Sequence, residues 1–322
     1  MHSPDELKPH PHGNALPFEA EVSRIAFANA RQAFSTHSQL SIQARLAELS
    51  KLKQTILANR STIITRIMQE VGKCQTDALI AEILGTLDWL NWLEKNAERL
   101  LKPEKVKTPI TLLGKQSLLL HEPLGVVLII CPWNYPFHNA ITGIAAALVT
   151  GNAVVYKPSE HAPCKGMVEQ VLACSPVLQS LVHVVYGTGS MGSALIEQQP
   201  AKIFFTGSGP TGSKIMAQAS QALIPVELEL GGKDPMIVFA DAPMARSVAG
   251  ALWGGFTNAG QSCSGVERLL VEQSAYARFV MPPARDDHGV KSGQSRVISF
   301  LRYPRVECKL PGRRVIKQAA DA

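Results

Sequence analysis

The spacing of hydrophobic residues changes at about Pro123. From Glu19 to about Leu101, apolar residues recur three and four positions apart, which predicts a series of helices. Pro103 ends this helical region, and residues 108–121 predict a hairpin of two short strands around Leu113-Gly114-Lys115. Beyond Pro123, short apolar runs alternate with helix-like stretches, and each run is followed by a Gly- or Pro-rich turn. This alternation predicts βαβ units in a parallel sheet with helices on both faces.

The apolar runs predict five strands, over residues 125–130, 153–156, 181–186, 203–205 and 226–230. The stretches between them predict four helices, near residues 141–149, 166–173, 193–198 and 214–222. Because ligands of such sheets bind beyond the carboxyl ends of the strands, we expect a binding site in the loops that follow these runs.

Composition excludes two other classes of protein. The chain has 322 residues, of which 46% are hydrophobic and 18% charged, so it is long enough for two domains and too apolar to be mainly disordered. The longest apolar run, residues 125–131, is far shorter than the roughly 20 residues of a membrane helix. Residues 1–18 are polar and predict a disordered N-terminus without a secretory signal. Six dispersed cysteines form no C-x-x-C pair, so we expect neither a metal site nor disulfides, and a cytoplasmic location.

The positive charge is concentrated at the end of the chain. Residues 281–322 contain nine Lys/Arg and four Asp/Glu, a net charge of 9 − 4 = +5, whereas residues 1–280 carry 23 − 22 = +1. A nearly neutral body has no electrostatic footprint for nucleic acid, so we expect no nucleic-acid partner. Nucleic-acid binding by the basic tail is a remote alternative, because a mixed run of bases and acids is usually only solvated.

Two stretches match G-x-G-x-x-G, one beginning at Gly187 and one spanning Gly207 to Gly212. Each follows an apolar run and opens a predicted helix, whose backbone N–H groups and dipole can hold a pyrophosphate. Both cannot be the usual dinucleotide fingerprint. An ordinary glycine-rich turn therefore remains open for each.

Three residues stand out for their chemistry. Cys263 follows a small, polar loop near a predicted helix start, where a thiol can ionise and act as a nucleophile; a buried, inert cysteine is the alternative. Glu229 lies between leucines at a strand end, where desolvation raises a carboxyl pKa and suits a general base; a turn cap is the alternative. Asn134 lies among prolines and aromatic residues, where its amide can donate to an oxyanion or make an ordinary Asx turn.

Taken together, five ordered motifs resemble the NAD(P)-dependent aldehyde dehydrogenase family. They are PWNYP (132–136), KPSE (157–160), FTGSGPTG (205–212), ELGGKDP (229–235) and GQSC (260–263). The resemblance extends over residues 19–280. It implies a doubly wound, Rossmann-like α/β nucleotide-binding domain with N-terminal helices over residues 19–231, and the start of an α/β catalytic domain over residues 232–280.

The resemblance also implies roles for individual residues. Cys263 matches the nucleophile, Glu229 the base that activates water, and Asn134 the donor to the oxyanion of the thiohemiacetal. Oxidation of a small-molecule aldehyde then gives a thioester and finally a carboxylic acid. The cofactor contacts implied are Trp133, Lys157, Ser159, Glu160, Gly187, Gly207, Ser208, Gly212 and Leu230. Among them Lys157 and Glu160 match the residues that hold the adenosine ribose, and Glu160 favours NAD, with NADP as the alternative.

Residues 281–322 depart from the family pattern. They show no sustained periodicity, and the chain lacks the family's E-x-F-G-P motif, which contacts the nicotinamide ribose. We therefore expect a catalytic domain that is incomplete, followed by an unrelated basic tail. A catalytically inactive NAD-binding protein and a coenzyme A-acylating enzyme are the alternative functions. The family forms homo-oligomers, but the strand that pairs its subunits is not found in this chain, so the oligomer is in doubt.

Overall fold

The computed structural model describes residues 17–280, 307–310 and 313–317. The chain divides into two compact units, of which the first ends at Leu230 and the second begins at Gly231. Each is described by itself. Disorder was predicted for residues 1–18, of which residues 1–16 lie outside the described residues; for residues 17 and 18 the prediction is wrong, because they form the start of a helix.

Helices form the first part of the first unit, as the apolar spacing predicts. They are α1 (Pro17–His37), α2 (Ile42–Val71), α3 (Gln75–Asp77), a π-helix (Ala78–Leu84) and α4 (Gly85–Leu101). Helix α1 begins two residues before the predicted start, because Pro17 suits the first turn of a helix, where no N–H is needed. Ser41 caps α2 by accepting a hydrogen bond from the backbone N–H of Ala44, and Gly72 ends it with a φ of 78°.

The predicted hairpin is displaced along the chain. Strands β1 (Glu104–Val106) and β2 (Ser117–Leu119) pair antiparallel, and a 3-10 turn, Ile110–Leu112, lies between them. The first strand therefore lies before residue 108, nearer the N-terminus than predicted. Pro109 has no N–H to donate to a ladder, so the strand ends before it and the apolar residues 110–113 belong to the connection.

A parallel sheet of five strands organises the rest of this unit. Its strands are β3 (Val126–Ile130), β4 (Ala153–Lys157), β5 (Val182–Val184), β6 (Lys202–Gly207) and β7 (Val226–Leu230), in the order β5-β4-β3-β6-β7. The helices between them are α5 (His138–Val149), α6 (Met167–Leu172), α7 (Pro176–Leu181), α8 (Gly189–Glu197) and α9 (Gly209–Ser220). The predicted α/β fold with a parallel, Rossmann-like sheet is confirmed.

Strands β3 and β4 form the centre of the core. Every residue of both strands is buried, which explains why they are continuous apolar runs rather than alternating ones. Helices α1, α5 and α8 pack against them. From β3 the chain moves outward to β5 and then returns to place β6 on the other side of β3. The strand order therefore reverses between β3 and β6, and a crevice opens there at the carboxyl ends.

The second unit is a smaller α/β structure. It contains β8 (Asp234–Val238), α10 (Met244–Phe256), a 3-10 helix (Thr257–Gly260), β9 (Val266–Val271), α11 (Gln273–Val280), β10 (Glu307–Leu310) and β11 (Arg313–Lys317). The sheet order is β10-β11-β9-β8, with β8 parallel to β9 and the other pairs antiparallel. No strand was predicted at β10 or β11, because the sequence there shows no alternation. A small core of Val238, Val271, Ala275 and Phe279 holds the unit together.

Candidate active site

A cleft of about 960 Å³ lies at the carboxyl ends of β3, β4 and β6. The loop after β3 contributes Trp133, the loop after β4 contributes Lys157 and Glu160, and the turn after β6 contributes Gly207 and Ser208. Helices α8 and α9 border it. The cleft is therefore at the reversal of strand order, where open α/β sheets bind their ligands.

The turn from β6 into α9 brings bare backbone to this cleft. A Cβ added to Gly207 would lie 2.5 Å from Cζ of Phe205, so only glycine fits at this position. Ser208 caps α9, accepting a hydrogen bond from the backbone N–H of Thr211 at 3.4 Å. Helix α9 has 12 residues. Its dipole and the N–H of Gly209 suit a phosphate, whereas Pro210 has no N–H and that of Thr211 is bonded to Ser208.

Gly212 and Leu230 have a packing role in the described residues. A Cβ on Gly212 would lie 3.0 Å from Cδ2 of Leu230, so the glycine lets α9 approach the end of β7. Neither residue lines the cleft. Gly187 likewise lies outside the lining, and a Cβ there would meet Cβ of Met191 at 2.6 Å. In this first glycine motif, Gly189 and Gly192 line the cleft.

Lys157 and Glu160 place a cation and an anion side by side at the cleft. The Lys157 side chain is 4% exposed, and its Nζ donates to Oε2 of Glu160 at 3.4 Å and to the carbonyl of Pro158 at 3.3 Å. Burial lowers the pKa of Lys157. Desolvation raises the pKa of Glu160, but its own backbone hydrogen bond and the charge of Lys157 outweigh it, so the net shift is downward. Next to them, Ser159 Oγ accepts from the backbone N–H of His161 at 3.3 Å.

Asn134 lies in the loop between β3 and α5. The residue is half-buried, and the backbone N–H of Tyr135 donates to its Oδ1 at 3.1 Å. Its neighbour Trp133 is 38% exposed and lines the cleft. The acceptor oxygen of the Asn134 amide is thus held by its own loop.

A buried ion pair that the sequence pattern does not predict lies beneath this loop. Lys73 Nζ lies 2.7 Å from Oε1 of Glu82, and both side chains are fully buried. The same Nζ donates to the backbone carbonyl of Asn134 at 2.7 Å. Burial lowers the pKa of Lys73 and raises that of Glu82, and the charge of each partner opposes the other's shift. One signal was available, because Glu82 is a lone acid within the apolar run Ala78–Leu84.

Glu229 does not have the surroundings that were expected. It lies on β7, the edge strand of the sheet, and is exposed. The predicted desolvation is therefore wrong for the described structure. Alternation explains the error, since only the strands at the centre of the sheet are buried on both faces, and the burial of β7 alternates between half-buried and exposed positions.

Cys263 lies in the second unit, in a turn between the 3-10 helix and β9. It is exposed, so the buried alternative is excluded, but no helix begins beside it and the expected helix start is wrong. The turn is preceded by Asn258 and Ala259, whose φ angles of 58° and 57° are unusual for residues with a side chain. Asn258 stabilises this conformation by donating from Nδ2 to the carbonyl of Gln261 at 2.9 Å. Strained backbone of this kind clusters at functional sites.

The cysteines of the described residues differ in burial. Cys131 lines the cleft, but burial raises its pKa and keeps it a thiol. Cys263 and Cys74 are the exposed ones in this part of the chain. Exposure and the polar loop favour Cys263 as a nucleophile.

Comparison with known proteins identifies the family. The model of the aldehyde dehydrogenase family matches residues 15–294. The chain belongs to the aldehyde dehydrogenase family. Among its relatives, a 4,4'-diapolycopene aldehyde oxidase of Methylomonas sp. is 40% identical over 252 residues, which are 78% of this chain and 48% of the relative. A putative succinate-semialdehyde dehydrogenase [NADP(+)] of Mycobacterium tuberculosis is 33% identical, covering 84% of this chain and 51% of the relative.

Solved aldehyde dehydrogenase structures share the fold. Betaine aldehyde dehydrogenase of Staphylococcus aureus, in complex with NAD+, superposes with a TM-score of 0.74 and 31% identity. The match covers 81% of this aldehyde dehydrogenase chain and 52% of that structure. The chain thus spans about half the length of the relatives that it matches. Within the part of the chain that the structure describes, there is no helix of the length and hydropathy needed to cross a bilayer, and no cluster of metal-ligating side chains.

Proposed function

We propose that this protein oxidises an aldehyde to a carboxylic acid with NAD or NADP, through a covalent intermediate on Cys263. Membership of the aldehyde dehydrogenase family supports the reaction. The observation that carries the proposal is the cleft at the reversal of strand order, which joins the glycine turn after β6 to the buried Lys157 and its exposed partner Glu160.

The cleft fits a dinucleotide. The bare backbone at Gly207 and the N-terminus of α9 suit the pyrophosphate, with Ser208 beside it. Lys157 can donate to a ribose hydroxyl and Glu160 can accept from one, so together they suit the adenosine ribose. Trp133 and Ser159 complete the proposed cofactor contacts, while Gly187, Gly212 and Leu230 shape the turns that carry them. When bound, the cofactor supplies a nicotinamide ring that accepts hydride.

Glu160 favours NAD over NADP in this proposal. A carboxylate beside the ribose hydroxyls repels a 2′-phosphate. The names of the relatives include both cofactors, NAD+ for the Staphylococcus aureus enzyme and NADP+ for the mycobacterial one. We therefore propose NAD as the preferred cofactor of this chain and NADP as a weaker one.

The proposed reaction begins at sulfur. The thiolate of Cys263 adds to the aldehyde carbonyl carbon, and the electron pair of the C=O bond moves to oxygen. That oxyanion accepts hydrogen bonds from the side-chain amide of Asn134 and the backbone N–H of Cys263. Loss of hydride from the carbon then re-forms C=O and leaves a thioester on Cys263.

Hydrolysis of the thioester requires a base, and we propose Glu229. Its exposed carboxylate is accessible to water and takes a proton as the water oxygen attacks the thioester carbon. The C–S bond breaks, the carboxylic acid leaves and the Cys263 thiolate is regenerated. Asn134 and Glu229 belong to the first unit and Cys263 to the second, so their joint action is part of the proposal.

The test is NADH formation by the purified chain with NAD and a panel of short and aromatic aldehydes. We expect turnover that Cys263→Ser abolishes. Glu229→Gln should retain a single burst of NADH, equal to the enzyme present, because the thioester forms but is not hydrolysed. Binding of NADH without turnover would contradict oxidation and favour an inactive binding protein. Release of the thioester only on addition of coenzyme A would favour an acylating enzyme.

A further inference from the structure

We propose that Lys73 and Glu82 are positioning residues that hold the loop of residues 132–138, so that the Asn134 amide faces the developing oxyanion. The proposal rests on the proposed function, because it gives Asn134 that role. Neither residue touches the cofactor cleft. Both act through the backbone of the loop.

Lys73 holds the start of the segment. Its Nζ donates to the backbone carbonyl of Asn134 at 2.7 Å and lies 4.3 Å from the centre of the Tyr135 ring. The carbonyl and side chain of Asn134 share one Cα, so fixing the carbonyl limits the directions that the amide can take. Because the Lys73 side chain is fully buried, water cannot substitute for it.

Glu82 holds the end of the segment. Its Oε2 accepts from the backbone N–H of Phe137 at 3.0 Å and from that of His138 at 2.8 Å, which are the first donors of α5. Its Oε1 accepts from Lys73. This ion pair therefore forms hydrogen bonds with three backbone groups within residues 134–138, on both sides of Pro136.

The elements that supply the pair are shaped for this contact. Glu82 lies in the π-helix, and π-helical turns are frequent at functional sites. A Cβ on Gly85 would lie 3.4 Å from Cε1 of His138, so the helix approaches the start of α5 closely. Thr86 Oγ1 lies 3.2 Å from Nδ1 of the same histidine.

Burying an ion pair costs free energy, because both charges lose their contact with water. Desolvation of both charges often makes such a pair no better than apolar packing, so it is best explained where its geometry matters. The pair Lys53–Glu94 offers the contrast. It joins α2 to α4, both side chains are partly exposed, and its described contacts are to side chains alone.

The first test measures loop order and needs no activity. Hydrogen exchange is followed by mass spectrometry in the full chain and in Lys73→Met, with Lys53→Met as the matched control. We expect exchange in peptides covering residues 134–138 to become faster in Lys73→Met by a factor at least ten times larger than that for peptides of β3 and β4, which report only the overall loss of stability. Lys53→Met should leave the loop unchanged. Should Glu82→Gln or Lys73→Met fail to fold, the charge-balanced variant carrying both substitutions replaces it.

The second test measures whether the order of the 132–138 loop affects the rate of the reaction at Cys263. Acylation of Cys263 by 4-nitrophenyl acetate also passes through an oxyanion but needs no cofactor. We expect Lys73→Met to reduce the acylation rate at least tenfold, with NADH affinity within twofold of that of the unsubstituted chain. In an Asn134→Ala background the same substitution should have no further effect, and Lys73→Arg should restore part of the rate. If Lys73 only stabilised the fold, Lys73→Arg would not restore the acylation rate, and Lys73→Met would still slow acylation in the Asn134→Ala background.

Two results would overturn the proposal. One is a folded Lys73→Met whose loop exchanges at the original rate. The other is an acylation rate in the double variant that is reduced by the product of the two single-variant factors, since this means that Lys73 acts independently of the Asn134 amide. If the unsubstituted chain and Asn134→Ala acylate equally slowly, the proposed function fails instead. The exchange measurement then decides the positioning proposal by itself.

Discussion

Replacing Lys157 with methionine tests the proposed cofactor site without altering its shape. Methionine keeps most of the aliphatic stem and removes the ammonium group. In the structure the Lys157 side chain is 4% exposed, yet the partners of its ammonium group lie at 3.3 and 3.4 Å, near the upper limit of a hydrogen bond. A ribose hydroxyl therefore meets a donor that is buried and weakly satisfied.

The size of the effect follows from that hydrogen bond. A bond to a charged group contributes about 1.5–3 kcal/mol. Its loss corresponds to a roughly 10- to 150-fold weaker affinity for NADH. The fold should not suffer, because the substitution removes a charge that burial already disfavours, as the lowered pKa of Lys157 indicates.

The assay is a fluorescence titration with NADH, and Lys202→Met is the matched control. Lys202 also pairs with a glutamate, Glu227, at 2.9 Å, but it begins β6 at the opposite end of the sheet. We expect its affinity for NADH to equal that of the unsubstituted chain. A Lys157→Met protein that unfolds at the usual temperature and binds NADH within twofold of the original affinity would refute the reasoning.

Three further substitutions have defined outcomes. Glu160→Gln should improve NADP binding relative to NAD by about tenfold, measured by competition with NADH, because a like charge beside the 2′-phosphate is removed. Gly207→Ala should lower the free energy of unfolding by about 1–3 kcal/mol and weaken NADH binding, since its Cβ meets Phe205. Lys73→Met should cost about 3–5 kcal/mol, a drop of roughly 6–20 °C in Tm by calorimetry, by leaving Glu82 buried and unpaired. An unchanged Tm of Gly207→Ala would contradict the steric argument, and an unchanged Tm of Lys73→Met would contradict the argument from an unpaired buried charge.

The sequence pattern predicted the centre of the first unit well, for a physical reason. Strands β3 and β4 are buried on both faces, so each shows in the sequence as an apolar run without alternation. The turn at Gly207 was also predictable, because a glycine-rich stretch between an apolar run and a helix start indicates a tight strand-to-helix turn; which of the two such stretches has its first glycine in the cleft depends on the strand order. Lys157 and Glu160 were predicted from the family resemblance and line the cleft.

The missed features depend on contacts between distant parts of the chain. Lys73 meets the carbonyl of Asn134 across 61 positions, and no local pattern announces such a contact. Glu229 is exposed because β7 is an edge strand, and the position of β7 in the sheet cannot be predicted without knowing the strand order. The displaced hairpin has a local cause, since Pro109 cannot donate to the ladder and so keeps the apolar residues after it out of the strand.

The central claim is that aldehyde oxidation passes through a thioester on Cys263. The most direct measurement is the mass of Glu229→Gln after reaction with NAD and a short aldehyde, followed by peptide mapping. We predict a gain of one acyl group per chain, located on the peptide that contains Cys263 and absent when Cys263→Ser is added. An unmodified chain that still forms NADH, or an acyl group on the exposed Cys74 instead, would contradict the account.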